Sequence, residues 1–197
     1  MSARTHPPAG SVADRAMTGA LQEAEQARHS YVGCEHLLLA LARDKSDDVG
    51  RLLEGAGVEL ARARATVQQV VAQGRGDGPR WSQADLLSRV GVDLAAIQRR
   101  VQAEFGPRAV EELYASGIGR RLPRGPLCGL MVAPRLKEAF ALAVDTARHD
   151  GRGVDSAHLL LGLLDTDSPG LQAVLAALGV DHRGLRAAVA ARLRAAS

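Results

Sequence analysis

The chain has 197 residues, of which 46% are hydrophobic and 24% charged; this is the balance of a folded globular protein, not of a disordered or fibrous one. Its formal net charge is only +3, and no dense Lys/Arg block appears, so composition does not demand a nucleic-acid partner. Aromatic residues make up 3%, which leaves a core of Ala, Leu and Val better suited to closely spaced helices than to packed sheets.

In chain order, MSARTHPPAG reads as a flexible tail. It lacks a charged region followed by an apolar run, so no signal peptide is expected. No later run approaches the roughly 18 apolar residues of a membrane span. An Ala-rich stretch beginning near Val12 predicts a helix that ends at Ala27-Arg28-His29. Tyr31-Val-Gly-Cys-Glu-His-Leu-Leu-Leu-Ala-Leu41 predicts a leucine-rich helix, followed by the acidic loop Asp44-Lys-Ser-Asp-Asp48. LLEGAGVELARARATV, Leu52 to Val67, then predicts helix, tight turn and helix. Gly57 can take the left-handed conformation that ends a helix, Val58 can fold back on it, and Glu59 favours the next helix start.

Gly74-Arg-Gly-Asp-Gly-Pro79 and Leu122-Pro-Arg-Gly-Pro-Leu-Cys-Gly129 read as loops bounding an insertion. The insertion carries a second Gly-Val-acid unit, LLSRVGVDLAAIQRRV at Leu86 to Val101, and a short helix at about Pro107 to Ser116. The Arg75-Gly76-Asp77 triplet is read as a chance match to an integrin-binding motif.

The first pattern then returns. Pro134 suits a first helical turn, and Leu136, Phe140, Ala143, Val144 and Ala147 follow the spacing of one buried face. Ala147-Arg148-His149 matches Ala27-Arg28-His29. Gly153-Val-Asp-Ser-Ala-His-Leu-Leu-Leu-Gly-Leu163 matches Tyr31 to Leu41, with Ser156 as the expected N-cap. Ser168-Pro169 starts the next helix, and Gly179-Val180-Asp181 makes the third turn unit. In the last helix Arg186, Ala190 and Leu193 recur at helical spacing. The expected fold is all-α: two pseudo-symmetric four-helix repeats forming one domain around a shared core, with a helical insertion between them. The expected boundaries are a tail at 1–11, repeat one at 12–73, the linker with insertion at 74–130, and repeat two at 131–197.

Cys34 and Cys128 lie far apart, which predicts a reduced, cytoplasmic protein. The six His show no metal-ligand spacing. In Cys34-Glu35-His36, residues i and i+2 on a helix do not face each other. His36 and His158 are therefore read as packed or backbone-bonded core histidines, and Cys34 as a small buried residue. No GxxxxGK[ST] occurs. No catalytic residue, metal or cofactor is expected, and the chain is not read as an enzyme. Arg120, Arg121, Arg124, Arg183, Arg186, Arg192 and Arg194 either form solvated faces or contact an acidic partner. The second reading keeps a helical nucleic-acid-binding regulator as the alternative function.

GCEHLLLAL at Gly33 to Leu41, SAHLLLGLL at Ser156 to Leu164, the Gly-Val-acid turns and Ala133-Pro134-Arg135 resemble the Clp N-terminal (Clp repeat) family, ClpC-like members above all. The resemblance flanks the insertion in two blocks, and the module is expected to stand alone, without AAA+ modules. It implies a non-catalytic module of the Clp chaperone-protease system. Such a module binds protein or peptide substrates or adaptors, or sequesters Clp ligands, with a ClpC-type AAA+ ATPase as partner. It also implies that Glu35 holds the guanidinium of a phosphoarginine-like ligand, since a carboxylate matches that planar fork. The other reading of Glu35 is an acid that merely favours its helix start. Ala157 takes the equivalent place in repeat two, so a second site of this kind is not expected. Val12 and Val132 stand where ClpC-like members carry Phe at each repeat start. With Arg135 they are groove or helix-start candidates, or plain packing residues.

Overall fold

A computed structural model describes residues 10–78 and 130–195 of the chain. The unit at Leu86 to Val101, the helix expected at 107–116, Arg120, Arg121, Arg124 and Cys128 lie outside the described residues.

Eight helices are described. In the first repeat α1 (Val12–Gln26) starts at Ser11, whose hydroxyl accepts from the Asp14 N–H at 3.1 Å. It leads through β1 (Tyr31–Val32) into α2 (Cys34–Arg43). Then come α3 (Asp48–Gly55) and α4 (Leu60–Ala72). In the second, β2 (Met131–Val132) precedes α5 (Pro134–His149), followed by α6 (Ser156–Asp165), α7 (Pro169–Leu178) and α8 (His182–Ala195). The all-α, two-by-four reading holds. What it lacked is a two-residue parallel ladder, Tyr31 against Met131 and Val32 against Val132, too short to leave an alternating signature in sequence.

α2 and α6 are leucine-rich and buried on nearly every side, as helices at the centre of a bundle are. Leu37, Leu38, Leu39 and Leu41 are buried in one, and Leu159, Leu160, Leu161, Leu163 and Leu164 in the other. α2 packs on α1, α3, α4, α5, α6 and α7; α6 packs on α1, α2, α3, α5 and α8. One core therefore serves both repeats, as expected of units too small to stand alone. α1 offers α2 a face of small residues, Ala13, Ala16, Gly19, Ala20 and Ala24. Among these the buried Glu23 receives a forked pair of bonds from Arg64 of α4, at 2.7 and 2.8 Å.

Both described Gly-Val turns behave as their residues dictate. Gly57 and Gly179 have φ of +94° and +74°. The Val58 and Val180 N–H groups return to the carbonyls of Leu53 and Leu175, each at 2.9 Å, and both valines are buried. Two expectations need correction. Asp155, not Ser156, is the N-cap of α6, its carboxylate accepting from the His158 N–H at 3.0 Å. The Ala-Arg-His matches are also out of register. Arg28 lies beyond α1 at φ +56°, whereas Arg148 sits inside the last turn of α5 and Gly151 takes the left-handed place. The His29 N–H bonds the Ala24 carbonyl as the Arg152 N–H bonds that of Ala147, so His29 corresponds to Arg152.

Candidate functional site

The site lies where the first turns of α2 and α7 meet the end of the first repeat. Cys34, Glu35 and His36 open α2, and α7 begins at the buried Ser168. Helix starts present unpaired N–H groups and a positive dipole end. Here neither start has an acidic N-cap, since Gly33 is one N-cap and Ser168 the other. Asp77, from the segment expected to be linker, serves both. It accepts from the Cys34 N–H at 3.1 Å and the Gly170 N–H at 3.1 Å. The Ser168 hydroxyl donates to it as well, lying 2.7 and 2.8 Å from its two oxygens. The same hydroxyl accepts from the Leu171 N–H at 3.0 Å, the ordinary capping bond.

Glu35 lies beneath. It is 0% exposed. Its Oε1 accepts from the Tyr31 hydroxyl and from the Asp77 N–H, the latter at 3.3 Å. Its Oε2 is buried with no hydrogen-bond partner among the described residues. Burial first, then the Asp77 charge, lifts the Glu35 carboxyl to about 7, against the pull of the Tyr31 and Asp77 donors. Burial, then the Glu35 charge, raises the Tyr31 hydroxyl. Burial and then the Asp77 charge also push the Cys34 thiol up. A thiol so held is no nucleophile.

Glycines make the close packing possible. A Cβ on Gly170 would stand 2.8 Å from the Asp77 nitrogen and 3.1 Å from Glu35 Oε2, and one on Gly76 or Gly78 would overlap Tyr31. His36 supports the floor. Burial, then His29, holds it down at about 3, so it is neutral. Its Nδ1 accepts from the Gly33 N–H at 3.0 Å, and its Nε2–H donates to His29 Nδ1 at 2.7 Å. His158 does the parallel work in α6 and is likewise buried. The core reading of both histidines is what the geometry shows.

The corresponding place in the other repeat is built differently. Ala157 stands for Glu35, Gly153 for Tyr31, and Asp155 for Gly33. The α3 start has Asp47 where α7 has Ser168. Each helix there caps itself with its own carboxylate. Between them is an open cavity of about 610 Å³, lined in part by Val12, Arg15, Arg43, Asp44 and Asp155.

Of the residues singled out in sequence, Glu35 falls at the centre of the site. Val12 is the half-buried first residue of α1 and lines the open cavity. Val132 lies in β2, two residues before α5. Arg135 is exposed in the first turn of α5 and bonded to Glu138 at 2.8 Å. Arg186 and Arg192 engage Asp165 and Asp48 in ion pairs. Asp77, Ser168, Gly170 and Tyr31 were missed. The available signal was a Gly-Asp-Gly run together with a glycine at the α2 start where repeat two has aspartate. No group of three or more potential metal ligands occurs among the described residues, and no described helix is long and apolar enough to cross a membrane.

Residues 10–84 match the family described as Clp repeat (R) N-terminal domain. The chain is 28% identical over 123 residues to chaperone protein ClpC2, chloroplastic, of Oryza sativa subsp. japonica. It is 31% identical over 124 residues to the ATP-dependent Clp protease ATP-binding subunit ClpA homolog of Porphyra purpurea. Each match takes in 58% of this chain, and the chain spans only 13% and 15% of those relatives. The crystal structure of the N-terminal domain of the chaperone ClpD from Arabidopsis thaliana superposes with a TM-score of 0.57 at 22% identity, covering 91% of this chain and 90% of that one. This last likeness is one of fold.

Proposed function

We propose that this chain, which carries a Clp repeat N-terminal domain over residues 10–84, is a non-catalytic binding module of the Clp system. It recruits or sequesters protein segments that present a compact anion joined to a guanidinium, as phosphoarginine does. The observation that carries this reading is the pairing at one site of two complementary demands. The Cys34 and Gly170 N–H groups and the Ser168 hydroxyl hold an anion. Alongside, Glu35 Oε2 is a buried carboxylate oxygen without a donor among the described residues, and a guanidinium supplies donors in the right fork. Ala157 removes the second half of that pair from the other repeat, so one ligand per chain is expected.

The low reactivity of the Cys34 thiol and the engagement of both site histidines support a binding role over hydrolysis, and the purified chain is expected to leave casein uncut. The test is a titration with phosphoarginine up to millimolar concentration, followed on the Cys34 and Gly170 backbone amides by NMR. Saturable shifts that vanish in Glu35→Ala, together with co-purification of a ClpC-type ATPase, are the expected result. Absence of any shift, in the wild type and in variants with Asp77 replaced, overturns the phosphoarginine reading.

A further inference from the structure

Gly74 to Gly78 belong to the same compact unit as the two repeats, and they close the site from above. Two features separate this contact from ordinary capping. First, a single carboxylate reaches two helix starts that are 136 residues apart in sequence, Cys34 and Gly170, and takes the Ser168 hydroxyl besides. An N-cap residue normally serves its own helix, as Asp47 and Asp155 do in this molecule. Second, the carboxylate lies against another, Glu35, whose Oε2 is buried and has no partner among the described residues. A segment selected only to cap helices would not set two acids together and leave one oxygen unmet. The glycines on either side of Asp77 let the backbone lie flat against Tyr31, so the segment fills the place without adding side-chain bulk.

The geometry points to the Arg75–Gly78 segment as an in-chain ligand: Asp77 occupies the anion place of the site, and an outside oxyanion enters only by displacing it. The chain is therefore self-gated. A site open for only a fraction of the time binds more weakly by that fraction, so the strength of the Asp77 contact sets the affinity for anything that competes. The identity of the outside ligand rests on the reading above; the occupancy by Asp77 does not.

The test uses the full chain and two probes, inorganic phosphate and phosphoarginine, read on the Cys34 and Gly170 amides. In Asp77→Ala both amides should respond to phosphate, with an affinity at least ten-fold tighter than in the wild type. Asp77→Ser, which keeps a short polar side chain without the charge, reads the same competition should the alanine variant fail to fold. A phosphate response in a folded Asp77 variant no stronger than in the wild type overturns the assignment. So does phosphoarginine binding of equal strength in both, which would leave the ligand reading intact. Conversely, phosphate binding gained in the variant without any binding of phosphoarginine sustains the in-chain ligand and removes the phosphoarginine reading.

Discussion

Glu35 and His36 are consecutive, both fully buried, and titrate in opposing senses. The Glu35 carboxyl is lifted from 4.5 to about 7, by burial and then by Asp77. Its contribution to stability is complete below 4.5, where both states are protonated, and is lost as pH rises through about 7. The His36 imidazole is lowered from 6.5 to about 3, by burial and then by His29. Its contribution is complete above 6.5 and is lost as pH falls through about 3. His29, lowered by burial, acts in the same direction as His36. Between pH 4.5 and 6.5 the Glu35 slope thus opposes the histidine slopes. Glu35→Gln removes that opposition, so the variant's melting temperature should fall more steeply on acidification from pH 6.5 to 4.5. Thermal melts at half-unit steps check this, and parallel profiles for the two proteins would refute it. Glu35 was legible through the family resemblance, since it sits inside the local GCEHLLLAL motif that carries it. Asp77 was not legible, because what defines it is tertiary: it lies 42 residues from Glu35, and nothing around Arg75-Gly76-Asp77 announces that two distant helix starts lack an acidic N-cap.

The helices themselves were readable, since apolar spacing and caps act over one or two turns. Pro134, Ser168, Gly57 and Gly179 all do what their covalent structure prescribes. The errors arose where a short string match stood in for geometry. Ala-Arg-His recurs as letters, but the left-handed residue that ends the helix is Arg28 in one copy and Gly151 in the other. The leucine helices show a further constraint. Ala40 and Gly162 are equivalent, yet only the first tolerates a Cβ, because it faces Gly19. A Cβ on Gly162 would collide with the Ala139 carbonyl of α5 and stand 2.7 Å from the Ala143 nitrogen. Gly162→Ala must therefore push α5 and α6 apart, and overpacking of this kind costs about 1–3 kcal/mol. Denaturant unfolding should show a loss of that size, although alanine is the better helix former by about 1 kcal/mol. An unchanged or raised midpoint would mean that the two helices separate freely.

At the scale of the molecule, the two repeats share a core but have divided the work at their helix starts. In one half Gly33 and Ser168 leave a cradle that takes its anion from elsewhere in the chain; in the other Asp155 and Asp47 supply their own and leave the cavity open. The missing carboxylate at Ala157 is then only part of why that half does not repeat the first. Restoring it by Ala157→Glu should not create a second ligand site, because Asp155 and Asp47 already cover the helix N–H groups and would repel an incoming anion. Adding Asp155→Gly and Asp47→Ser to Ala157→Glu should expose those donors. The glycine replacement costs little more than a few tenths of a kcal/mol at an N-cap, and serine caps nearly as well as aspartate, so the triple variant should remain folded. Phosphoarginine titrated into it should then perturb the residue 157 and 158 amides as well as those of Cys34 and Gly170, with the binding stoichiometry rising from one to two. Were the single variant to gain the second site unaided, helix-start self-capping would not be what distinguishes the halves, and the acid at position 157 alone would decide where this fold binds.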